Sequence, residues 1–328
     1  MAEWWLSADP NQQREDRWRR LPYPAVTRLY GPEHYLPDAG LIEAINTALL
    51  LGQPLLLTGE PGCGKTEVGN YTAWKLGLGE AIRFDVKSTT GARDLFYTFD
   101  TIGRFHAAQQ RGGDVDPLRF LAFQGLGLAI LFANEPSAVS RLLPADQHPG
   151  KRRSVVLIDE IDKAPRDVAN DLLTEFERMQ FYIPEIGGTV SAELTMRPVV
   201  IITSNSERGL PAPFLRRCIY YNVEYPGSDR LKDIVAARIS DLPRHANLLG
   251  DCIFVFEYVR GRRLQKPPGT AELLSFILAL RARGVTADDR LSGRQDWFDT
   301  ARHCLLKDKL DQEEAFRGFA FPVETPRQ

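Results

Sequence analysis

The chain has 328 residues, of which 43% are hydrophobic and 26% are charged, and this length and apolar content predict about two domains with sizeable cores. Its 17 Phe, 10 Tyr and 5 Trp residues exclude a chain that never packs. The 41 Lys and Arg residues nearly balance the 43 Asp and Glu residues, which leaves a net charge of -2. The chain as a whole is therefore not a polycation, and its charge does not favour non-specific binding to nucleic acid.

The sequence has the character of a soluble protein from a reducing compartment. No apolar run approaches the roughly 20 residues needed to cross a bilayer, and residues 1–6 lack a basic head followed by an apolar segment. The four cysteines form no Cys-x-x-Cys pair: Cys63, Cys218, Cys252 and Cys304. We therefore expect a cytoplasmic protein that does not contact membranes, with its cysteines as reduced thiols.

Residues 1–30 combine tryptophans, arginines and prolines without helical or strand periodicity. This composition predicts an N-terminal arm that lies on the surface of the domain that follows. A docking peptide for a partner is the alternative.

Short apolar runs separated by helical segments dominate residues 31–226. A helix is predicted over 41–51, where Ile42, Ile45 and Leu49 share one face. The runs that follow are apolar on both faces, which is typical of a parallel sheet covered on both sides: Leu55–Thr58, Ala81–Val86, Val155–Ile158, Val199–Thr203 and Ile219–Val223. The sequence therefore predicts an α/β domain with a five-stranded parallel sheet.

The pattern changes after Pro226, where β-branched runs become scarce and amphipathic helical stretches begin. The predicted helices are Leu231–Ile239, Thr270–Arg283 and Trp297–Leu310. We therefore expect a smaller helical domain over residues 227–328, ending in a C-terminal helix.

The first apolar run leads into a glycine-rich loop of the pattern Gly-x-x-x-x-Gly-Lys-Ser/Thr, followed by a helix. Its backbone N–H groups and the helix dipole are suited to holding a phosphate. Lys65 is predicted to reach the β- and γ-phosphates, and the Thr66 hydroxyl to bind Mg²⁺. The residues predicted to bind nucleotide are Gly59, Glu60, Pro61, Gly62, Cys63, Gly64, Lys65, Thr66 and Glu67.

Polar residues follow the third and fourth apolar runs. Asp159 and Glu160 come at the end of the third run, where Asp159 is predicted to hold Mg²⁺ and Glu160 to polarise a water for attack on the γ-phosphorus. Asn205 follows the fourth run and could orient the same water or form a simple turn. Arg216 and Arg217 precede the fifth run, either as a solvated helix end or as a finger donated to a neighbour's γ-phosphate.

In this order, the phosphate loop, the acidic pair, the strand-end Asn and the edge arginines resemble an AAA+ ATPase over residues 35–280. The stretch 157–173 is similar to the Walker B region and following helix of the MoxR family. Residues 180–197 resemble the hairpin inserted before the sensor strand, and residues 91–127 resemble the insert after the second strand. The resemblance implies ATP and Mg²⁺ as cofactors and an AAA+ P-loop fold followed by a helical lid domain.

The resemblance also implies a role for each matching residue. Lys65 and Thr66 match the Walker A contacts, and Asp159 and Glu160 match the Walker B pair. Asn205 takes the position called sensor 1.

Further positions follow from the same resemblance. Arg217 matches the arginine finger, with Arg216 as a neighbour that could substitute for it. Tyr35 and Leu36 fall where the family packs adenine. Ala271 occupies the position where the family usually has the sensor 2 arginine. The role of that arginine is therefore expected from Lys266 or from one of three arginines: Arg260, Arg262 and Arg263.

The resemblance implies a homo-oligomeric ring, usually a hexamer, that hydrolyses ATP to remodel or activate a protein client. A separate adaptor with a von Willebrand A domain often mediates this action. A nucleic-acid translocating motor is the main alternative. Between residues 180 and 196 the charged residues are Glu185 and Glu193, and an acidic hairpin disfavours phosphates. The basic residues 151–153 argue the other way. A nucleotide-gated assembly switch with low turnover is a third possibility.

Overall fold

A computed structural model describes residues 31–111, 115–206, 209–295 and 297–321. The arm predicted over residues 1–30 lies outside the described residues. The described part of the chain divides into two compact units, one between residues 37 and 225 and the other formed by the described residues before 37 and after 225.

The unit of residues 37–225 contains the strands and the first helices. Its strands are β1 (Leu55–Thr58), β2 (Ile82–Asp85), β3 (Tyr97–Phe99), β4 (Leu121–Phe123), β5 (Val155–Asp159), β6 (Gln180–Ile183), β7 (Gly188–Ser191), β8 (Val199–Thr203) and β9 (Ile219–Asn222). Its helices are α1 (Ala39–Leu51), α2 (Glu67–Lys75), α3 (Thr101–Arg111), α4 (Gly125–Phe132), α5 (Arg166–Asp171), α6 (Leu173–Arg178) and α7 (Ala212–Leu215).

Five of these strands form one parallel sheet in the order β2-β5-β8-β1-β9. All four residues of β1 and all five of β5 are buried, as expected for central strands covered on both faces. Alternate residues of the central strands share one core: Leu56, Val156, Ile158, Val200 and Ile202. The predicted α/β class and five-stranded parallel sheet are confirmed.

The helix before the sheet begins two residues earlier than the sequence predicts. Asp38 caps α1, because its carboxylate accepts a hydrogen bond from the Leu41 N–H at 2.8 Å. The Tyr221 hydroxyl donates to the same carboxylate at 2.6 Å and thereby ties the cap to β9. α1 ends at Gly52, whose φ of 62° is the left-handed conformation that commonly follows a helix.

The first insert, predicted over residues 91–127, contains the antiparallel pair of β3 and β4 with α3 between them. Gly127, in α4 at the end of this insert, passes close to the backbone just before β3. A Cβ atom at Gly127 would lie 2.0 Å from the Phe96 carbonyl oxygen, so only glycine allows this approach. The close contact packs the start of the insert against α4.

The second insert forms the predicted hairpin. The Gly187-Gly188 pair between strand-like flanks predicts a two-residue turn, but the turn in the structure is longer. β6 and β7 pair so that Ile183 faces Gly188, and four residues, 184–187, therefore make the turn. Its apolar residues also differ in exposure. Phe181 and Ile183 are buried, and Phe181 stacks on Phe96 with ring centroids 5.1 Å apart. In the sequence, Phe181, Tyr182, Ile183 and Ile186 suggest apolar anchors for a protein partner. This expectation is wrong for Phe181 and Ile183, because they are core residues.

Arg197 ties the end of the hairpin segment to the helices beside it. Its guanidinium donates to the backbone carbonyls of Phe176 at 2.7 Å, Glu177 at 3.0 Å and Gly52 at 3.0 Å. These carbonyls belong to the ends of α6 and α1, where helical carbonyls lack partners within the helix. The arginine therefore satisfies two helix ends with one side chain.

The other unit is helical where the structure describes it. Its helices are α8 (Ser228–Arg238), α9 (Asn247–Arg260), α10 (Thr270–Ala282), α11 (Trp297–Leu305) and α12 (Lys309–Glu314). The single helix expected over 297–310 is two helices, because Asp308 caps a new one by accepting from the Leu310 N–H at 2.9 Å. α9 was not predicted, since its apolar residues cover more than one face. In the described parts of the chain, we find no helix with the length and apolar character that a membrane crossing requires.

Candidate nucleotide-binding site

The phosphate loop connects β1 to α2 at the carboxyl edge of the sheet. Its glycines adopt backbone conformations that other residues avoid, with φ of 142° at Gly59, 80° at Gly62 and 97° at Gly64. A Cβ atom at Gly59 would also lie 2.3 Å from the Val223 carbonyl oxygen, next to the end of β9. The local sequence therefore allows the tight curl that turns backbone N–H groups toward a bound anion.

Lys65 lies inside the curl of this loop. Its residue exposure is 7%, and its ammonium group donates to the carbonyl oxygens of Gly59 at 2.8 Å and Glu60 at 2.9 Å. The ammonium group is therefore held against the backbone of the phosphate loop. The neighbouring Cys63 thiol is partly buried, and burial raises its pKa although the Lys65 charge opposes this change.

Asp159 lies at the end of β5 and is 5% exposed. The Thr66 hydroxyl donates to its two carboxylate oxygens at 3.1 and 3.3 Å. The Thr203 hydroxyl donates to Oδ1 at 2.6 Å. Arg83 on β2 donates to Oδ2 at 2.9 Å. Three neighbouring segments of the sheet edge thus meet on one buried carboxylate.

Glu160 follows Asp159 in a left-handed conformation, with φ of 60° and ψ of 53°. Its backbone N–H donates to the Thr203 hydroxyl at 2.9 Å, which anchors this uncommon conformation. Its carboxylate pairs with the Lys163 ammonium and accepts from the Asn205 side-chain amide at 3.4 Å. The hydrogen bond to Glu160 raises the pKa of Lys163. The Glu160 carboxylate and the Asn205 amide therefore lie side by side.

The predicted residues of the phosphate loop, the acidic pair and Asn205 thus meet at one edge of the sheet. Three further residues at this edge were not predicted: Arg83, Thr203 and Lys163. A signal for two of them was present in the sequence, because Arg83 and Thr203 lie near the carboxyl ends of predicted parallel strands. Such strand ends meet at a common edge.

Arg216 and Arg217 lie at the opposite edge of the sheet. They precede β9, which runs parallel to β1 and pairs Ile219 with Leu55. The length of β1 therefore separates them from the phosphate loop, a span of roughly 10 Å. Both side chains are exposed, and the Arg217 Nε lies 2.5 Å from Glu177 Oε1.

The remaining predicted residues belong to the helical unit. Tyr35 and Leu36 follow a short 3₁₀ helix, and the Leu36 carbonyl accepts from Arg230 at 2.6 Å. The Lys266 N–H donates to Asp311 at 3.0 Å, which fixes the backbone just before α10.

Arg260 and Arg262 each donate to a backbone carbonyl of this same unit, of Pro268 and Arg317, at 2.6 Å in both cases. Ala271 lies exposed in the first turn of α10.

The donors at the carboxyl edge fit a bound Mg²⁺ ion. The Thr66 hydroxyl and the Asp159 carboxylate are hard oxygen ligands already in contact with each other. Across the described residues, no group of three or more His, Cys, Asp or Glu side chains could hold a metal by itself. Mg²⁺ usually takes one or two protein ligands together with phosphate oxygens.

Comparison with known proteins assigns this site to a family. Residues 54–218, about half of the chain, match the family described as AAA domain (dynein-related subfamily), and the chain belongs to this family. It is thus a member of the AAA+ ATPases, and the match spans the phosphate loop, the acidic pair, Asn205 and both edge arginines. Among solved structures, a variant of Thermotoga maritima RuvB is 16% identical, covers 85% of this chain and 67% of its own, and has a TM-score of 0.43.

Proposed function

We propose that this chain binds ATP with Mg²⁺ and hydrolyses it to ADP and phosphate. The observation that carries the proposal is the meeting of Thr66, Asp159, Glu160 and Asn205 at the carboxyl edge, next to a phosphate loop that encloses Lys65. A cation, a metal-binding pair, a base and an amide are the groups that phosphoryl transfer to water requires.

Each residue has a distinct part in the proposed reaction. The water oxygen attacks the γ-phosphorus while the bond to the β-phosphate oxygen breaks, and Glu160 accepts the proton that the water loses. Asn205, 3.4 Å from the Glu160 carboxylate, would orient the same water. Thr66 and Asp159 would hold Mg²⁺, which when bound supplies positive charge to the phosphates.

Lys65 provides the first test of nucleotide binding. Its ammonium bonds two neutral carbonyls, and phosphate oxygens are stronger, charged acceptors for the same group. Lys65→Ala should therefore abolish binding of a fluorescent ATP analogue in an anisotropy titration. Lys75→Ala, at the exposed end of α2, should bind like the unchanged chain. Equal binding by Lys65→Ala would count against the site.

We further propose that the protein works as a ring, a hexamer as is usual for the MoxR family. In this arrangement, Arg217 or its neighbour Arg216 completes the site of the adjacent subunit. The exposure of both arginines at the edge opposite their own phosphate loop supports this role. An arginine finger supplied in trans contributes about 10³ to 10⁵ in rate in other phosphoryl-transfer proteins.

A mixing experiment tests the shared site. Arg217→Ala and Lys65→Ala chains should each be nearly inactive, and a mixture should recover part of the turnover, because each chain supplies what the other lacks. As a control, the Arg217→Ala chain is mixed with a chain that carries both Arg217→Ala and Lys65→Ala. This mixture should recover no turnover. Failure of the first mixture to recover, while mixed rings form, would argue against the finger.

The proposed client is a protein, reached through a separate adaptor as in the MoxR family. The hairpin supports this proposal with two exposed apolar side chains, Tyr182 at 58% and Leu194 at 81%. Tyr182→Ser with Leu194→Ser should preserve basal hydrolysis and remove its stimulation by client or adaptor. Because both side chains are exposed, these changes should not disturb the hairpin core. Unchanged stimulation would contradict the role of the hairpin.

The sequence suggested that the charges of the hairpin favour a protein partner over nucleic acid, but in the structure these charges do not decide between the two. Glu185 pairs with Arg93 at 3.4 Å and accepts from the Tyr97 hydroxyl at 2.9 Å. Glu193 pairs with Lys151. The expected acidic surface is therefore partly neutralised, which removes one argument against a nucleic-acid motor.

The argument for a nucleic-acid motor, which depends on the basic residues 151–153, also weakens because two of these residues have partners within the chain. Of the basic residues 151–153, Lys151 pairs with Glu193 and also with Glu135 at 3.4 Å. Arg153 donates to the Thr195 carbonyl at 2.8 Å. DNA binding tighter than micromolar at physiological salt, lost in Lys151→Ala with Arg153→Ala, would favour the motor over the protein remodeller.

The adenine and sensor 2 positions complete the proposal. Tyr35 and Leu36 are proposed to pack adenine, and Lys266 or one of Arg260, Arg262 and Arg263 to act as sensor 2. Substituting each basic residue in turn with Ala should identify the one whose loss slows hydrolysis without weakening ATP binding.

A further inference from the structure

The Walker B aspartate shares its buried oxygen with an arginine from the edge strand of the sheet. Arg83 Nη2 lies 2.9 Å from Asp159 Oδ2, and Arg83 Nε lies 2.7 Å from Asp85 Oδ1. One guanidinium thus bridges two carboxylates. Their environments differ, because the side chain of Asp159 is 6% exposed and that of Asp85 is 63% exposed.

The strand geometry explains this bridge. β2 and β5 pair in parallel with Asp85 beside Asp159, and Arg83 lies two residues before Asp85. Side chains two residues apart in a strand point to the same face, so Arg83 reaches both acids from one position. The Arg83 side chain is 52% exposed, which leaves it room to move.

The bridge occupies the carboxylate that a metal would need. Asp159 Oδ1 already accepts from Thr203, and the Thr66 hydroxyl lies within 3.3 Å of both oxygens. A guanidinium on Oδ2 takes up lone-pair capacity and places a positive charge beside the proposed ion. Arg83 and Mg²⁺ therefore compete for Asp159.

We propose that Arg83 is a positioning residue that neutralises Asp159 in the metal-free site and moves onto Asp85 when Mg²⁺ binds. The inference rests on the proposed function, since it assumes the Mg²⁺ site of Thr66 and Asp159. Asp85 serves as the release partner, meaning the carboxylate that holds the Arg83 guanidinium when it leaves Asp159. The Asp159 carboxylate would then be available to the metal. The pair Arg83 and Asp85 thus sets the Mg²⁺ concentration at which nucleotide binding tightens.

The two members of this pair predict opposite changes. Arg83→Gln removes the competing cation, so the half-saturating Mg²⁺ concentration should fall about tenfold, within the range seen for groups that support metal ligands. Asp85→Asn removes the release partner and leaves the guanidinium on Asp159, so that concentration should rise several-fold. Arg83→Lys keeps the charge but loses the planar guanidinium that bridges the two carboxylates, so its half-saturating Mg²⁺ concentration should lie between those of Arg83→Gln and the unchanged chain.

The measurement is a Mg²⁺ titration of the full chain with a fluorescent, non-hydrolysable ATP analogue, followed by anisotropy. A parallel titration in EDTA measures nucleotide affinity without metal, which should be the same in all variants. Lys87→Gln is the matched control, because it removes an exposed positive charge just beyond the end of β2. It should leave the Mg²⁺ dependence within twofold of the unchanged chain.

The possible results separate the inference from the proposed function. Opposite shifts in Arg83→Gln and Asp85→Asn, with constant affinity in EDTA, would support the inference. Mg²⁺-dependent binding that Arg83→Gln leaves unchanged, or that it alters as much as Lys87→Gln does, would overturn it. So would an equal loss of affinity in EDTA, which would assign Arg83 to the phosphates. Absence of Mg²⁺ dependence in the unchanged chain would instead remove the proposed metal site, and the inference with it.

Discussion

Thr203 on β8 contacts both Asp159 and Glu160 at the end of β5 through one buried hydroxyl, and its replacement by valine is a sensitive test of the geometry. The hydroxyl donates to Asp159 Oδ1 at 2.6 Å and accepts from the Glu160 N–H at 2.9 Å. Thr203 is 1% exposed, so water cannot easily replace these bonds. Thr203→Val keeps the shape of the side chain, and valine suits a strand.

The expected cost follows from the two lost bonds. A hydrogen bond to a charged group contributes about 1.5–3 kcal/mol and a neutral one about 1 kcal/mol, so the free energy of unfolding of this unit should fall by about 2–4 kcal/mol. At about 2–4 °C for each kcal/mol, its melting temperature should fall by roughly 4–16 °C. Hydrolysis should slow more than nucleotide binding weakens, because the left-handed Glu160 loses its anchor.

Calorimetry and urea denaturation of the unchanged chain, Thr203→Val and Thr203→Ser would measure this effect. Serine keeps the hydroxyl and loses one methyl group, which should cost only about 1 kcal/mol. The reasoning is refuted if Thr203→Val is as stable as the unchanged chain, or if Thr203→Ser is the less stable of the two variants.

Three further predictions concern positions away from Thr203. Gly127→Ala should lower the free energy of unfolding by about 3 kcal/mol or more, as a large packing defect does, because its Cβ would lie 2.0 Å from a backbone oxygen. Gly250→Ala in α9 has no atom within 4 Å of its Cβ. It should instead raise the free energy of unfolding by about 0.5–1 kcal/mol in the same denaturation assay. Arg197→Met should cost about 2–4 kcal/mol in that assay, since three carbonyls lose a charged donor, and a loss under about 0.5 kcal/mol would contradict this role. Burial raises the pKa of Cys63 and so lowers its thiolate fraction. Alkylation of Cys63 by iodoacetamide, measured by mass spectrometry, should therefore be slower than that of free cysteine at about pH 7.5 and should accelerate as pH rises. Alkylation at the rate of free cysteine would contradict this prediction.

Much of the sheet was predictable because its strands are short, apolar on both faces and bounded by polar turns. Leu55–Thr58 and Val199–Thr203 agree with the structure at both ends, and the other three strands agree within one residue. The phosphate loop was predictable for a related reason, since its glycines, lysine and threonine have a fixed spacing along the chain. The order of the strands in the sheet could not be predicted from the sequence, because strand pairing depends on contacts between distant segments of the chain.

The contacts that tune the site could not be predicted from spacing. Arg83 meets Asp159 across 76 residues, and Thr203 meets it across 44 residues. The hairpin shows the same limit. Its strand-like composition was visible, but the burial of Phe181 depends on the first insert, whose Phe96 stacks on it, and Ile183 lies in the same core.

Hydrolysis by Glu160 is the central claim, and single-turnover kinetics of Glu160→Gln test it most directly. Glutamine keeps the shape and the contact with Asn205 but cannot accept the proton, so ATP binding should persist within about threefold while the rate of ADP formation falls about 10² to 10⁴-fold. Lys65→Ala, which should not bind, is the control. ADP formation by Glu160→Gln at the rate of the unchanged chain would contradict the assignment, and an unchanged chain that binds ATP without turnover would favour the assembly switch.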